Sequence, residues 1–335
     1  MRNGNKITIQ DIAYRANVSI STVSRVLTQN AIVAEDKRIA VQKAIQELNY
    51  KPNRFAQGLA GGLSHTIGIL TQEISNPLYN NILRGLLEVM DQSLYSPILA
   101  DGHWNAQKEE QALHTFLDRA VDGLIVLGGC MPVETLVKIA GTTPLVVIGR
   151  DIPELNHISL NDFDGAYKAT QYLIEMGHNR IVHITGLLYH QDSLDRREGY
   201  LKALTDAGIT PDPDLIVTGD YAETSGLLAV EMLMMRGRPF SAIFAANDQM
   251  ASGARLGLYR RGIRVPDDIS IVGYDDQTPS AYAIPPLTTV YPPSMDIGMA
   301  AGRGILDLMK GVPVTLPVFS PILSIRESVA RVNRR

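Results

Sequence analysis

Short apolar runs alternate with longer amphipathic stretches along most of the chain. From His65 onward, β-branched runs at 66–70, 123–127 and 145–148 are followed by segments at 80–94, 133–139 and 166–176 whose apolar residues recur three and four apart. The alternation continues through 181–184, 194–204, 215–217, 225–235, 242–245, 249–261 and 269–272. Strand followed by helix followed by strand predicts a parallel sheet with right-handed crossovers. Gly177, Gly208, Gly237 and Gly262 each close a helical pattern in the second half, where a left-handed cap is wanted. About nine such strands are many for one doubly wound sheet, so the pattern predicts an α/β body of two lobes with a cleft between them.

The first fifty residues read differently. Three short helical patterns fill 8–50, Lys51-Pro52-Asn53 interrupts them, and Gly61-Gly62 marks a second break. Thr8 caps the first pattern with Asp11 in its first turn, and Ile9, Ile12 and Ala13 set its buried face. That helix stops at Asn17, a residue that tolerates positive φ. Ser19 caps the second pattern, 20–27, in which Val23, Val26 and Leu27 turn inward while Ile20, Ser21 and Arg25 face out. Two short helices joined by a tight turn, the second presenting small polar groups and one arginine, fit a DNA major groove. A helical hairpin that merely packs is the plain alternative.

Charge separates the same two regions. The net charge of −4 conceals nine Lys and Arg against four acids in residues 1–62, a net of +5, which leaves −9 for the remainder. The basic end suits a polyanion and the acidic body another task. With 45% hydrophobic and 20% charged residues and no apolar stretch near 18 residues, the 335-residue chain is expected to be a globular, non-membrane protein. Its first eleven residues lack a signal-peptide core, and Cys130 is the single cysteine, so a reducing cytoplasmic setting is expected. Neither a G-x-S-x-G, Walker A or G-x-G-x-x-G motif nor a Cys/His metal spacing is present, so no catalytic residue, metal or cofactor is expected.

The run from Thr8 to Leu27, with Glu47-Leu48-Asn49-Tyr50-Lys51-Pro52-Asn53-Arg54, resembles the lactose/galactose-repressor (LacI/GalR) family. Gly177-His178-Asn179-Arg180-Ile181, Arg196-Arg197-Glu198-Gly199-Tyr200, Ala246-Asn247-Asp248, 265–276 and Pro286-Leu287-Thr288-Thr289-Val290 extend the resemblance over most of the chain. It implies a homodimeric repressor on double-stranded operator DNA, with a type I periplasmic-binding-protein-like body. Ile20, Ser21 and Arg25 match the family's base-reading positions, and Thr8, Ser19, Thr22 and Ser24 complete the DNA-facing set. Residues 53–60 match its hinge helix. Asn53 would cap this helix, Arg54 would meet a phosphate, Ala56 would share a face with Leu59, and Leu59 would wedge between base pairs. Eight residues including Gly58 cannot hold a helix alone, so folding on DNA is expected, a flexible linker being the alternative. Two departures stand out: Asn17 occupies a position where glycine is favoured, and Ala34 one where a capping serine is usual. The tail from Val329 has no leucine heptads, so nothing supports tetramers through a C-terminal coiled coil.

The organisation expected is a helix-turn-helix domain at 1–50, a hinge and linker at 51–62, and an effector and dimerisation body at 63–335. The first lobe would take 63–160 and 291–320, and the second 161–290 and 321–335. Ligands of open α/β sheets lie beyond the carboxyl ends of strands. That rule selects Asn76, Tyr79, Asp101, Trp104, Arg150 and Asp151 from the first lobe and Tyr221, Asn247 and Asp275 from the second, and the resemblance adds Arg196. Carboxylates, an amide, an arginine fork and aromatic rings suit a sugar-type effector, and a purine or nucleoside would use almost the same set. Asn161 and Asp162 are expected to organise the crossover between lobes, His178 a turn, and Cys130 and the Met232, Met234, Met235 cluster the core. A sugar-binding transport protein is a weaker alternative, since it has no use for the basic head. A carbohydrate-active enzyme is likewise a weaker alternative, because adjacent Asp275 and Asp276 in an extended segment tend to point apart.

Overall fold

The computed structural model describes residues 7–28, 33–50 and 63–332, and the chain divides into two compact units at His65 and Thr66. The hinge residues Asn53, Arg54, Ala56 and Leu59 lie outside the described residues.

The first unit holds three helices: α1 (Ile9–Arg15), α2 (Ile20–Thr28) and α3 (Glu35–Glu47). Thr8 and Asp11 form a reciprocal capping box on α1. Asn17 takes φ 55° in the turn, and the Ser19 hydroxyl accepts the amide of Thr22 to start α2. Ala34 offers α3 no side-chain cap, which forgoes about 1 kcal/mol. Ile12, Ala13, Val23, Val41 and Ala44 form the small core, and Val26 and Leu27 pack against it.

The second unit contains two sheets. One is fully parallel, ordered β2 (Ser96–Asp101), β1 (Thr66–Thr71), β3 (Gly123–Leu127), β4 (Leu145–Ile148) and β5 (Asn156–Ile158). The other runs β11 (Ile322–Ser324), β10 (Thr288–Tyr291), β9 (Ser270–Tyr274), β8 (Ala242–Ala245), β6 (Ile181–Thr185) and β7 (Ile216–Thr218), with only β11 antiparallel. Eleven strands among the described residues exceed the nine or so expected, and the three-residue β5 and β11 are among those that the pattern did not mark. Helices α4 (Pro77–Asp91), α5 (Ala106–Asp118) and α6 (Val133–Ala140) follow β1, β2 and β3. Helices α7 (Asp162–Glu175), α8 (Gln191–Asp206), α9 (Glu223–Arg236), α10 (Asp248–Arg260) and the short α11 (Thr278–Ala281) accompany the second sheet. Helix α12 (Ser294–Met309) returns to the first sheet, where Ile297, Ala301 and Ile305 join Ile82 and Leu86 of α4 in one core.

Gly177, Gly208, Gly237 and Gly262 all have positive φ, as their places at helix ends require. Two expectations about burial fail. Met232 and Met235 are exposed because α9 turns Ala229, Val230 and Leu233 inward instead, and only Met234 packs partly against the core. Cys130 is exposed as well, its thiol donating to Glu109 at 3.3 Å in a loop that carries it clear of the core. His178 does more than terminate a turn, since its ring bonds Ser241 Oγ and the carbonyl oxygen of Ala330, tying the C-terminal segment to β8's approach. No helix among the described residues is long and apolar enough to cross a membrane.

His183 on β6 is fully buried between Tyr200 and Phe244, and its Nδ1–H donates to the Phe244 carbonyl. Burial pushes its pKa down to about 4. The unfolded chain, titrating near 6.5, therefore takes up this proton first as pH falls. The stability it contributes is complete above pH 6.5 and is lost as pH drops towards 4, at about 1.4 kcal/mol per pH unit. Urea unfolding at pH 7 and pH 5 should differ by about 2 kcal/mol more in the wild type than in His183→Leu. Equal differences in the two proteins would show that His183 does not govern the acid limb.

Candidate effector cleft and DNA-reading helix

A cavity of about 110 Å³ opens at the carboxyl ends of strands from both sheets. Asn76 and Tyr79 reach it from the start of α4, and Trp104 from the turn after β2. Arg196 comes from α8, Tyr221 from the turn after β7, Asn247 from the cap of α10, and Asp275 from the turn after β9. The structure thus brings together seven of the eight effector residues expected from the sequence. Arg150 lies instead on an adjoining cavity of about 540 Å³, with Asp151, Cys130 and Asp195, and the two cavities share Trp104, His190 and Asp192. Asp101 is spent within its lobe, accepting the amides of Ile74 and His103.

Arg196 is the electrostatic centre. It is 3% exposed, its Nε donates to Asp162 at 2.8 Å and its Nη1 to the Ala246 carbonyl at 2.5 Å, and its guanidinium lies 3.7 Å from the centre of the Tyr274 ring. Asp192 stands 3.9 Å from Nη2, and Asp275 4.0 Å from the same Nη1 that bonds Ala246. Burial works against the arginine's charge, yet Asp162, Asp192 and Asp275 together hold its pKa well above the ordinary value. Asp275, 5% exposed and at φ 100°, keeps Oδ1 without a hydrogen-bond partner. Burial pushes its carboxyl well above the carboxylate range, and Arg196 offsets only part of that.

The cavity has aromatic walls. His190 stacks on Trp104 at 3.9 Å from across the two sheets' loops and lies 6.0 Å from the Tyr221 ring. Neither of its ring nitrogens has a hydrogen-bond partner, and burial lowers its pKa, leaving it neutral. Tyr221 donates to Asp192 at 2.6 Å, while burial first and Asp192 second push its phenol well up. Its ring lies flat on Gly186, where any Cβ would collide with it. Asn247 caps α10 by accepting the Met250 amide and donates to the Tyr221 carbonyl, so it also positions that ring.

Sequence reasoning missed Glu73, His190, Asp192 and Asp220 in the lining. His190 and Asp192 follow strand β6, so the strand-end rule that selected the others applied to them equally. Asp162, expected in a crossover loop, is instead the first residue of α7 and the buried partner of Arg196, whereas Asn161 caps that helix through the Asp164 amide. Asp248 was also missed. Its carboxylate accepts the Gln277 amide and the Ser280 and Thr289 hydroxyls, pinning the segment that follows Asp275, and burial pushes its pKa to about 6 against those bonds.

In the head, Ile20, Ser21 and Arg25 are exposed on α2, on the side opposite buried Val23. Ser19, Ser21 and Thr22 link hydroxyls at 2.8 and 2.9 Å. Thr8 is exposed at the α1 cap, and Ser24 is half-buried.

A helix-turn-helix head and a two-lobe ligand-binding body in one chain define a class of ligand-controlled DNA-binding proteins. Residues 8–53 match the family of bacterial regulatory proteins, lacI family, and residues 170–329 match the periplasmic binding protein-like domain. The chain is 35% identical over 328 residues to the HTH-type transcriptional regulator GalR of Escherichia coli (strain K12), covering 96% of each protein. It is 35% identical over 308 residues to the HTH-type transcriptional repressor PurR of Aliivibrio salmonicida, covering 90% of this chain and 92% of that one. The lac repressor dimer bound to operator and the anti-inducer ONPF superposes with TM-score 0.89 at 30% identity, over 97% of this chain and 100% of the other. The transcriptional regulator CelR in complex with cellobiose gives TM-score 0.73 at 32% identity, over 96% and 99%. The chain belongs to the LacI family of bacterial regulatory proteins, as its motifs led one to expect.

Proposed function

We propose that this protein is a cytoplasmic transcriptional repressor that binds a palindromic operator as a dimer and changes its operator affinity when a sugar-type effector fills the cleft. The observation that carries the reading is a partly unsatisfied polar constellation, Asp275 with Arg196, inside an aromatic-walled cavity of a chain that also carries a helix-turn-helix head. The CelR neighbour in complex with cellobiose and a neighbour described as a sugar-binding regulator of the LacI family support a sugar, and the aromatic wall of Trp104 and His190 would suit a purine or nucleoside as the second reading. No catalytic step is assigned to the cleft. The lobes are taken as 63–160 with 291–320 and 161–290 with 321–335, supported by α12 packing against α4 while β10 and β11 pair in the second sheet.

Trp104 and His190 hold the lobes together face to face, so an effector that parts or replaces this stack resets the angle between them. A coupling of about 1–3 kcal/mol changes operator affinity by about 5–150-fold. The reading places Arg25 against a guanine, through bonds worth about 1–3 kcal/mol of discrimination. Arg25→Ala should therefore lose operator preference and keep weak binding to random DNA, as read by competition titration at fixed salt. If specific and random binding fell by the same factor, Arg25 would be a phosphate contact.

A further inference from the structure

We infer that the effector of this cleft carries a protonated amine beside its hydroxyls, an amino sugar being the class that fits, and that Asp275 and Asp192 receive the ammonium group. The inference rests on the reading of the cleft as the effector site and narrows it.

Acidic side chains outnumber basic ones around the cleft. Glu73, Asp192, Asp220 and Asp275 line the small cavity, and Asp151 and Asp195 line the adjoining one. Only Arg196 and Arg150 oppose them. Arg196 is already engaged by Asp162, which lines neither cavity, and by the Ala246 carbonyl, so one guanidinium stands among three carboxylates. Arg150 lines only the adjoining cavity, where its Nη1 has no hydrogen-bond partner and Glu109 is the acid that acts most on its charge. His190 supplies no charge, since burial keeps it neutral. Of the acids, Asp151 has His157 at 2.9 Å and Asp195 has the Gln191 amide at 2.7 Å, whereas Asp275 Oδ1 has nothing within hydrogen-bond distance.

Burial holds the Asp275 carboxyl towards its neutral form, a neutral sugar does nothing to reverse that, and an acid or phosphate would oppose its ionisation further. An ammonium group supplies three donors and a compensating charge. Both Asp192 and Asp275 lie within 4.0 Å of the same guanidinium, so they converge on one region.

The test uses the full chain, because Trp104 is its one tryptophan and sits in the cavity wall. Its emission is titrated with sets that share a ring and differ in charge: D-glucosamine, D-glucose, N-acetyl-D-glucosamine and D-glucuronate, then the galactose counterparts. The amine should bind about tenfold or more tightly than its neutral partner in at least one set, with the uronate weakest. Asp275→Asn and Asp192→Asn should each erase that preference by weakening the amine more than the neutral sugar. If neutral sugars or uronates move Trp104 emission and the amines do no better, the amine inference fails and the effector site stands. If no sugar of either kind moves the emission, the amine inference and the sugar reading both fail.

Discussion

Arg196→Met is expected to destabilise the body by about 3–5 kcal/mol and to abolish effector binding, because it strands the buried Asp162 carboxylate that Arg196 now pairs at 2.8 Å. In a body of this size each kcal/mol moves Tm by about 2–4 °C, so the melting temperature should fall by about 6–20 °C. Adding Asp162→Asn to Arg196→Met removes the orphaned charge and should recover part of the loss without restoring binding. A single variant that melts within about 2 °C of wild type would mean that Asp162 finds water or a proton at little cost, and that the pair is not a structural necessity.

The second large effect concerns Asp275. Asparagine keeps its shape, tolerates the positive φ of 100° seen here and removes the capacity to ionise against an effector. A charge-assisted bond is worth about 1.5–3 kcal/mol, so effector affinity should drop about 10–100-fold. Stability should hold or rise, since the variant no longer buries a carboxylate whose ionisation burial opposes. Operator affinity without effector should match wild type, because the head is a separate compact unit. An unchanged effector response in Asp275→Asn would make Asp275 a loop residue, and failure to bind operator at all would point to misfolding.

What the sequence made legible was local. Capping at Thr8 and Ser19, the αL turn at Asn17 and the glycine caps of the βα units each depend on a few adjacent residues, and the structure shows them as read. Strand ends were legible too, which is why Tyr79, Trp104, Tyr221, Asn247 and Asp275 could be named before any of them was seen in one cavity. The Arg196–Asp162 pair joins residues on two different helices, 34 positions apart, and no spacing rule announces it. Residue type misled at Cys130, Met232 and Met235, where exposure is decided by the face a loop or helix turns to its neighbours. Arg150 obeys the strand-end rule yet falls in the adjoining cavity, since the rule gives a sheet edge and not a position along the cleft.

The central claim is that one chain couples the cleft to DNA. Its most direct test selects operator from genomic fragments with the full chain, then titrates the selected site by fluorescence anisotropy at fixed salt, with and without the sugar that saturates the Trp104 signal. A palindromic site bound about 10³-fold or more above random DNA is expected, with its Kd moved about 5–150-fold by the sugar. A Kd that stays the same while the cleft is saturated, or fragments enriched no better than random DNA, would contradict it.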